Sequence, residues 1–169
     1  MTTAITAANT EATIITATKT ALVGAVYGAA VAWFKAVVVS TSEEQARDCQ
    51  YKGDAPRIVV LVGAPEEAKG VAGEVACTLP LTLLIAAKAD RGVDESSAVT
   101  ALLELANVAK NAIETTIPAS AKGFADDTNY HNPVEWGAFV FTTEEDRLPW
   151  VTGELPLEFG FTLSSPTSH

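Results

Sequence analysis

The sequence predicts an α+β fold: a four- to five-stranded mixed or antiparallel sheet packed against an N-terminal helix and a long central helix, ending in a C-terminal β-hairpin. Three observations carry this. From Trp150 to Leu163, the large groups Leu155, Leu157, Phe159, Phe161 and Leu163 alternate with Glu154, Pro156, Glu158, Gly160 and Thr162. Successive strand side chains point to opposite faces, so the five apolar groups share one side. From Val93 to Ile117, the residues Val99, Leu102, Leu103, Ala106, Ala109, Ile113 and Ile117 recur at intervals of three and four, the period of an amphipathic helix. The elements also run helix, three strands, helix, two strands, with neither an alternating βαβ series nor an internal repeat.

Taken in order, residues 1–10 are small and polar and read as a loose arm. Ile14, Ile15, Thr18, Leu22, Ala25 and Val26 then recur at helical spacing, which predicts a helix from Glu11 to Ala29. Its glycines, Gly24 and Gly28, would admit another backbone closely. Trp33 to Ser40 is aromatic and β-branched, a strand. Thr41 to Asp54 is polar without a sustained period and reads as a loop with at most a helical turn.

Pro56 to Gly63 is a continuous apolar run, a strand buried on both faces. Ala64 to Gly73 is a polar connector. Glu74 to Lys88 holds a third strand, with a bend or bulge at Pro80. Asp94 can cap the central helix and Pro118 stops it. Ala119 to Pro133 has loop composition, Val134 to Phe141 is a fourth strand, and Thr142 to Pro149 a polar turn. In the final strand Pro156 cannot donate to a ladder, so the strand lies at a sheet edge or its middle at a bulge. Its second face, with Glu154 and Glu158, suits water or a subunit surface, while the central helix should cover the first. Ser164 to His169 forms a loose tail.

At 169 residues the chain is one domain, able to bury about 70% of its unfolded surface. Its net charge is −10, and after Gly123 the only cation is Arg147, against Asp126, Asp127, Glu135, Glu144, Glu145, Asp146, Glu154 and Glu158. No basic stripe is present to neutralise phosphates, which argues against tight nucleic-acid binding. Cys49 and Cys77 have no CxxC spacing, so neither a zinc site nor a disulfide framework is expected. No signal peptide is visible. The longest uncharged stretch, Thr20 to Phe34, is shorter than the roughly 18–20 residues of a membrane span. A soluble chain in the cytoplasm follows.

Chemistry is thinly represented. Neither GxxxxGK[ST] nor GxGxxG occurs. His131 is the only histidine outside the extreme C-terminus, and no nucleophile-elbow sequence accompanies it. Asp126, Asp127 and His131 could share a cation, yet Asp and Asn in such a stretch more often shape turns. Glu144, Glu145 and Asp146 at a solvated hairpin tip are poorly placed to shift a pKa. Trp33, Trp136 and Trp150 lie in or beside strands without interleaved Lys and Arg, which favours packing over base stacking. The expectation is no catalytic residue, no metal and no cofactor.

Several stretches together carry a resemblance. They are the N-terminal helix leading to Phe34, Lys35, Ala36 and Val37, and the strand at Pro56, Arg57, Ile58, Val59 and Val60. The long helix from Val93 to Ile117 and the closing hairpin ending in Trp150 to Leu163 complete the set. This pattern resembles the tail terminator (tail completion, minor tail) proteins of long-tailed bacteriophages over most of the chain. The resemblance implies a non-enzymatic virion protein of the neck, assembled in the host cytoplasm as a hexameric ring. Such a ring caps the tail tube, ends its polymerisation and joins the tail to the head connector. The implied partners are further copies of the chain, the tail tube protein, a head-completion or connector protein and, in contractile tails, the sheath. No membrane is involved, and genomic DNA passes through the lumen without specific binding. On this reading Asp126, Asp127, Glu144, Glu145 and Asp146 are candidates to face the lumen or the tube, because carboxylates repel phosphates. Another neck or head-completion component is the nearest alternative. A small cytosolic enzyme using Asp126, Asp127 and His131, or a monomeric binding module, belongs to a different class.

Overall fold

A computed structural model describes residues 7–69, 74–89, 96–116, 129–131 and 134–164. The chain begins with helix α1 (Ala7–Val23), the small hairpin of β1 (Val26–Tyr27) and β2 (Val31–Ala32), and strand β3 (Ala36–Ser40). Helix α2 (Glu43–Gln50), β4 (Arg57–Val62), β5 (Glu66–Lys69) and β6 (Glu74–Lys88) follow. Helix α3 (Ser96–Thr116) precedes β7 (Asn129–His131), β8 (Glu135–Trp136) and β9 (Val140–Phe141). A 3-10 turn at Glu145–Arg147 leads into β10 (Trp150–Ser164). The class is the α+β one that the sequence predicts.

The sheet is organised around β6 and β10, which pair antiparallel from Trp150 opposite Lys88 to Ser164 opposite Glu74. β4 and then β5 run along the other side of β6, and β3 lies parallel to β4 at the outer edge. Beyond β10 run the short segments β7, β8 and β9. Among the described residues the sheet therefore has eight strands, not four or five, because the neighbours of the central pair are broken into pieces. The strand expected from Val134 to Phe141 is one such case, split into β8 and β9.

Two of these breaks face prolines. Leu81 pairs with Val62 and Thr78 with Glu66, so residues 63–65 stand against only Leu79 and Pro80. Likewise residues 137–139 stand against only Leu155 and Pro156. Each is one extra residue, a bulge. Gly63 N donates to Pro80 O at 2.9 Å and Gly137 N to Pro156 O at 2.8 Å. In an antiparallel strand a residue's nitrogen and carbonyl point the same way, so both missing N–H groups face the bulges. The ladder between β6 and β10 loses nothing. Glycine is required at each bulge: an added Cβ would lie 2.9 Å from Pro80 Cγ at Gly63 and 2.5 Å from Pro156 Cγ at Gly137. Pro156 thus lies inside the sheet at a bulge, not at an edge.

Alternation divides the two faces. Cys77, Leu79, Leu81, Leu83 and Ile85 of β6 are buried together with Val151, Leu155, Leu157, Phe159 and Phe161 of β10, beneath α1 and α3. The side chain of Leu163 lies outside the described part of the structure. On the other face Val59 and Leu84 pack under Ala46 of α2, whereas Pro156 and Glu158 are exposed. β4 is buried on both sides, as its unbroken apolar run predicts: Ile58 and Val60 face α1 and α3, Val59 faces α2.

Three helical expectations need correction. α2 occupies the stretch from Thr41 to Asp54 read as a loop. Ser42 Oγ accepts from Gln45 N at 3.4 Å, Glu43 and Glu44 sit in the first turn, and Arg47 pairs with Glu43 one turn on. Only Ala46 and Gln50 are buried, too few to show a period, and the Gln50 amide donates to Ile85 O at 3.2 Å.

α1 stops at Val23 and not Ala29, since Gly24 follows and residues 26–32 turn back on themselves through Gly28 (φ 55°) and Ala30 (φ 66°). Gly28 thus serves a turn and has open space where its Cβ would be, not a closely packed backbone. α3 buries Ala98, Leu102, Leu105, Ala106, Ala109 and Ile113, and Leu103 is turned outward. Asp94, the proposed cap, and Ile117 lie outside the described residues. The expected strand from Trp33 begins at Ala36, while β5 and β7 arise in stretches read as connector and loop.

The steric account is measurable by denaturant unfolding. Phe159→Ala should cost about 3–5 kcal/mol, the range for deleting a buried aromatic ring. Gly137→Ala should cost about 1–3 kcal/mol by driving a methyl group into the Pro156 ring; an unchanged midpoint would remove the close-contact explanation of that bulge.

Candidate assembly surfaces

The small hairpin exposes apolar groups that nothing in the fold requires to be outside. Val26, Tyr27 and Val31 are about half exposed, as is Val23 at the end of α1. Trp33 N donates to Ala25 O at 2.9 Å, and the Tyr27 and Trp33 rings lie 4.6 Å apart, which holds the hairpin against the start of β3. Beside it, between the end of α1 and α3, is a groove of ≈ 400 Å³ lined by Ala21, Val26, Trp33, Val108 and Ala112 among others. Lys19 and Lys35 precede and follow the hairpin in the chain; both are exposed, and neither forms an ion pair among the described residues.

A second apolar patch lies at the opposite edge of the sheet, where Val140, Phe141 and Leu148 are each about half exposed. The chain there is firmly held. Thr142 N donates to Thr152 O at 2.9 Å, and Thr152 N to Thr143 Oγ1 at 3.2 Å. Phe139 covers Gly153, where any side chain would collide with its ring, and meets Phe141 edge-on at 5.1 Å. Glu144, Glu145 and Asp146 lie between Phe141 and Leu148 in the chain and are all exposed, with Arg147 3.8 Å from Glu144.

The two patches share one end of the sheet. Ala36 pairs with Arg57, Arg57 with Ala86, and Lys88 with Trp150, so the starts of β3, β4 and β10 align with the end of β6. Near this end Arg147 lies over the Tyr51 ring and Lys88 over the Trp150 ring, each cation within 4.8 Å of the centroid, and the two rings meet edge-on. Arg47 joins α2 to β10 through Glu154, and that hydrogen bond is the largest influence keeping its guanidinium charged.

The uncovered part of the sheet is acidic. Glu135 pairs directly with Glu158, and Glu66 with Thr78; all three glutamates are exposed. Of the acidic candidates read from sequence, Glu144, Glu145 and Asp146 lie together at the β9–β10 tip, while Asp126 and Asp127 fall outside the described residues. His131 sits in β7, opposite Phe161. The tryptophans pack as expected: Trp136 donates to Glu114 at 2.7 Å and lies under Lys110. Lys19, Lys35 and the apolar hairpin had escaped the reading of sequence; their signal is that residues 12–42 hold two lysines and no acid.

Among the described residues, no three of His, Cys, Asp and Glu converge closely enough to hold a metal ion. No described helix is long and apolar enough to cross a membrane. The Cys77 thiol is pushed up, first by burial and then by the carboxylates of Glu67 and Glu11; an activated nucleophile needs the opposite. Burial, followed by Glu67, raises Glu11 as well. No protein-family model and no curated protein matches this chain.

Because folding raises the Glu11 pKa, the folded chain holds that proton to higher pH than the unfolded chain does. The stability tied to it is complete below the ordinary glutamate range and declines as pH rises through the folded value. Glu11→Gln should therefore be more stable than the parent at neutral pH, with the difference shrinking on acidification in a pH series of melting curves.

Proposed function

We propose that this chain is the subunit of a ring that caps a bacteriophage tail tube, ends its polymerisation and joins the tail to the head connector. The observation that carries the reading is the pair of unlike apolar patches at opposite edges of one sheet. A ring needs each subunit to offer two different surfaces, one for each neighbour, and a closed rotation turns that contact into a finite assembly. The pattern of elements that resembles tail terminators supports the same reading.

Charge supports it too. Each subunit brings a net charge of −10, and the uncovered sheet face with Glu66, Glu135 and Glu158 is suited to line a passage for DNA. Carboxylates there repel phosphates, so the genome moves through without adhering. The partners are then the tube protein below, the head-completion or connector protein above, and the sheath in a contractile tail.

The decisive test adds purified chain to polymerising tail tube protein and images the product by negative stain. The expected result is one ring at a single end of each tube and tubes of arrested length. A chain that stays monomeric and leaves tube length unchanged overturns the proposal, and a ring found only on the portal side would assign it to another neck component.

A further inference from the structure

Resting on that ring reading, we infer that successive copies join head to tail, the β9–β10 tip of one seated in the groove beside the β1–β2 hairpin of the next, phenylalanine into groove and carboxylates onto lysines. The knob is Phe141, 48% exposed yet fixed by Phe139 and by the threonine hydrogen bonds behind it. Its receptor is the ≈ 400 Å³ groove walled by Val26, Trp33 and Val108. A pre-fixed aromatic entering an apolar recess is the usual centre of a tight interface.

Charge identifies the occupant as a second copy. Lys19 and Lys35 are the only charged residues between Glu11 and Glu43, in a chain that is otherwise strongly acidic. Lys19 lies one helical turn before Val23, so both project from the same side of α1. The tip carries Glu144, Glu145 and Asp146 with Arg147 as the sole cation. One molecule thus holds both halves of a complementary pair, at the same end of its sheet and on opposite edges. Docking either patch on its own kind would set lysine against lysine or carboxylate against carboxylate, which costs affinity. Docking one on the other satisfies both and leaves the same two surfaces free at the ends of the row, so it propagates until it closes. The tip carboxylates accordingly belong at the subunit boundary, and the channel is left to the open sheet face.

Self-association of the full chain, measured by sedimentation and mass photometry alone and on tail tubes, tests this. K19E/K35E and E144K/E145K/D146K should each weaken it by more than about tenfold, while melting curves report that both variants fold. An equimolar mixture of the two should regain assembly, because each variant offers the surface the other lacks. In a C49S background, V26C/F141C bridged by a short bismaleimide should give a ladder of covalent oligomers. Unchanged association in both charge variants, failure of the mixture to recover, or a chain that is monomeric under every condition overturns the interface. Rings that cap tubes but ignore the charge reversals sink this inference alone; recovery on mixing by an oligomer that leaves tube ends bare sinks the tail-terminator reading alone.

Discussion

An uninterrupted antiparallel seam between β6 and β10 is the constraint to which the other elements conform. It runs fifteen residues on each strand and contains two prolines, a residue that ordinarily ends pairing in a sheet interior. It survives because both prolines turn their donor-less nitrogens outward, each toward a neighbouring segment that bulges around it. Gly63 and Gly137 allow those bulges to sit close to the proline rings. The strain of accommodating proline is therefore moved to the flanks, where a broken ladder costs little and also blunts the growth of the sheet.

That seam fixes the inequality of the two faces. Alternation sends the large groups of both central strands to one side, and an area that broad needs two helices to cover it, α1 toward β3 and α3 over β6 and β10. The opposite side holds only a narrow apolar strip at Val59 and Leu84, which the single short helix α2 suffices to close. Beyond α2 the sheet is left open, and its exposed side chains include Glu66, Glu135, Pro156 and Glu158.

The placement of exposed apolar residues has the same origin. The hairpin before β3 lies at one edge of the sheet, beside the groove between α1 and α3, and the tip before β10 lies at the other edge. Tyr27, Val31, Val140 and Phe141 remain about half exposed, and clustered apolar exposure of this kind commonly marks contact with further protein. Lys19 and Lys35 bracket the hairpin along the chain, whereas Glu144, Glu145 and Asp146 form the tip, and the proposed interface rests on that difference of sign.

The sequence alone determined the α+β class, the two-sided burial of β4, the one-sided burial of β10 and the existence of the long helix α3, because those segments are long and their apolar periods are unambiguous. It also narrowed Pro156 to two placements. Tertiary structure decided which, since a bulge is defined by the partner strand and not by the residue itself. α2 was missed for a related reason: its cap Ser42 and first-turn acids are legible, but a helix that buries one alanine and one glutamine shows no period. α1 was read four residues late at its start, where Ala7 to Thr10 are helical and not part of a loose arm. It was read six residues past its end because Ala25 and Val26 continue its spacing, and only the chain reversal at Gly28 and Ala30 reveals a hairpin there. The surfaces proposed for assembly lay beyond the sequence altogether. The β1–β2 hairpin and Phe141 stand far apart along the chain, and only the tertiary structure sets them at opposite edges and the same end of the sheet.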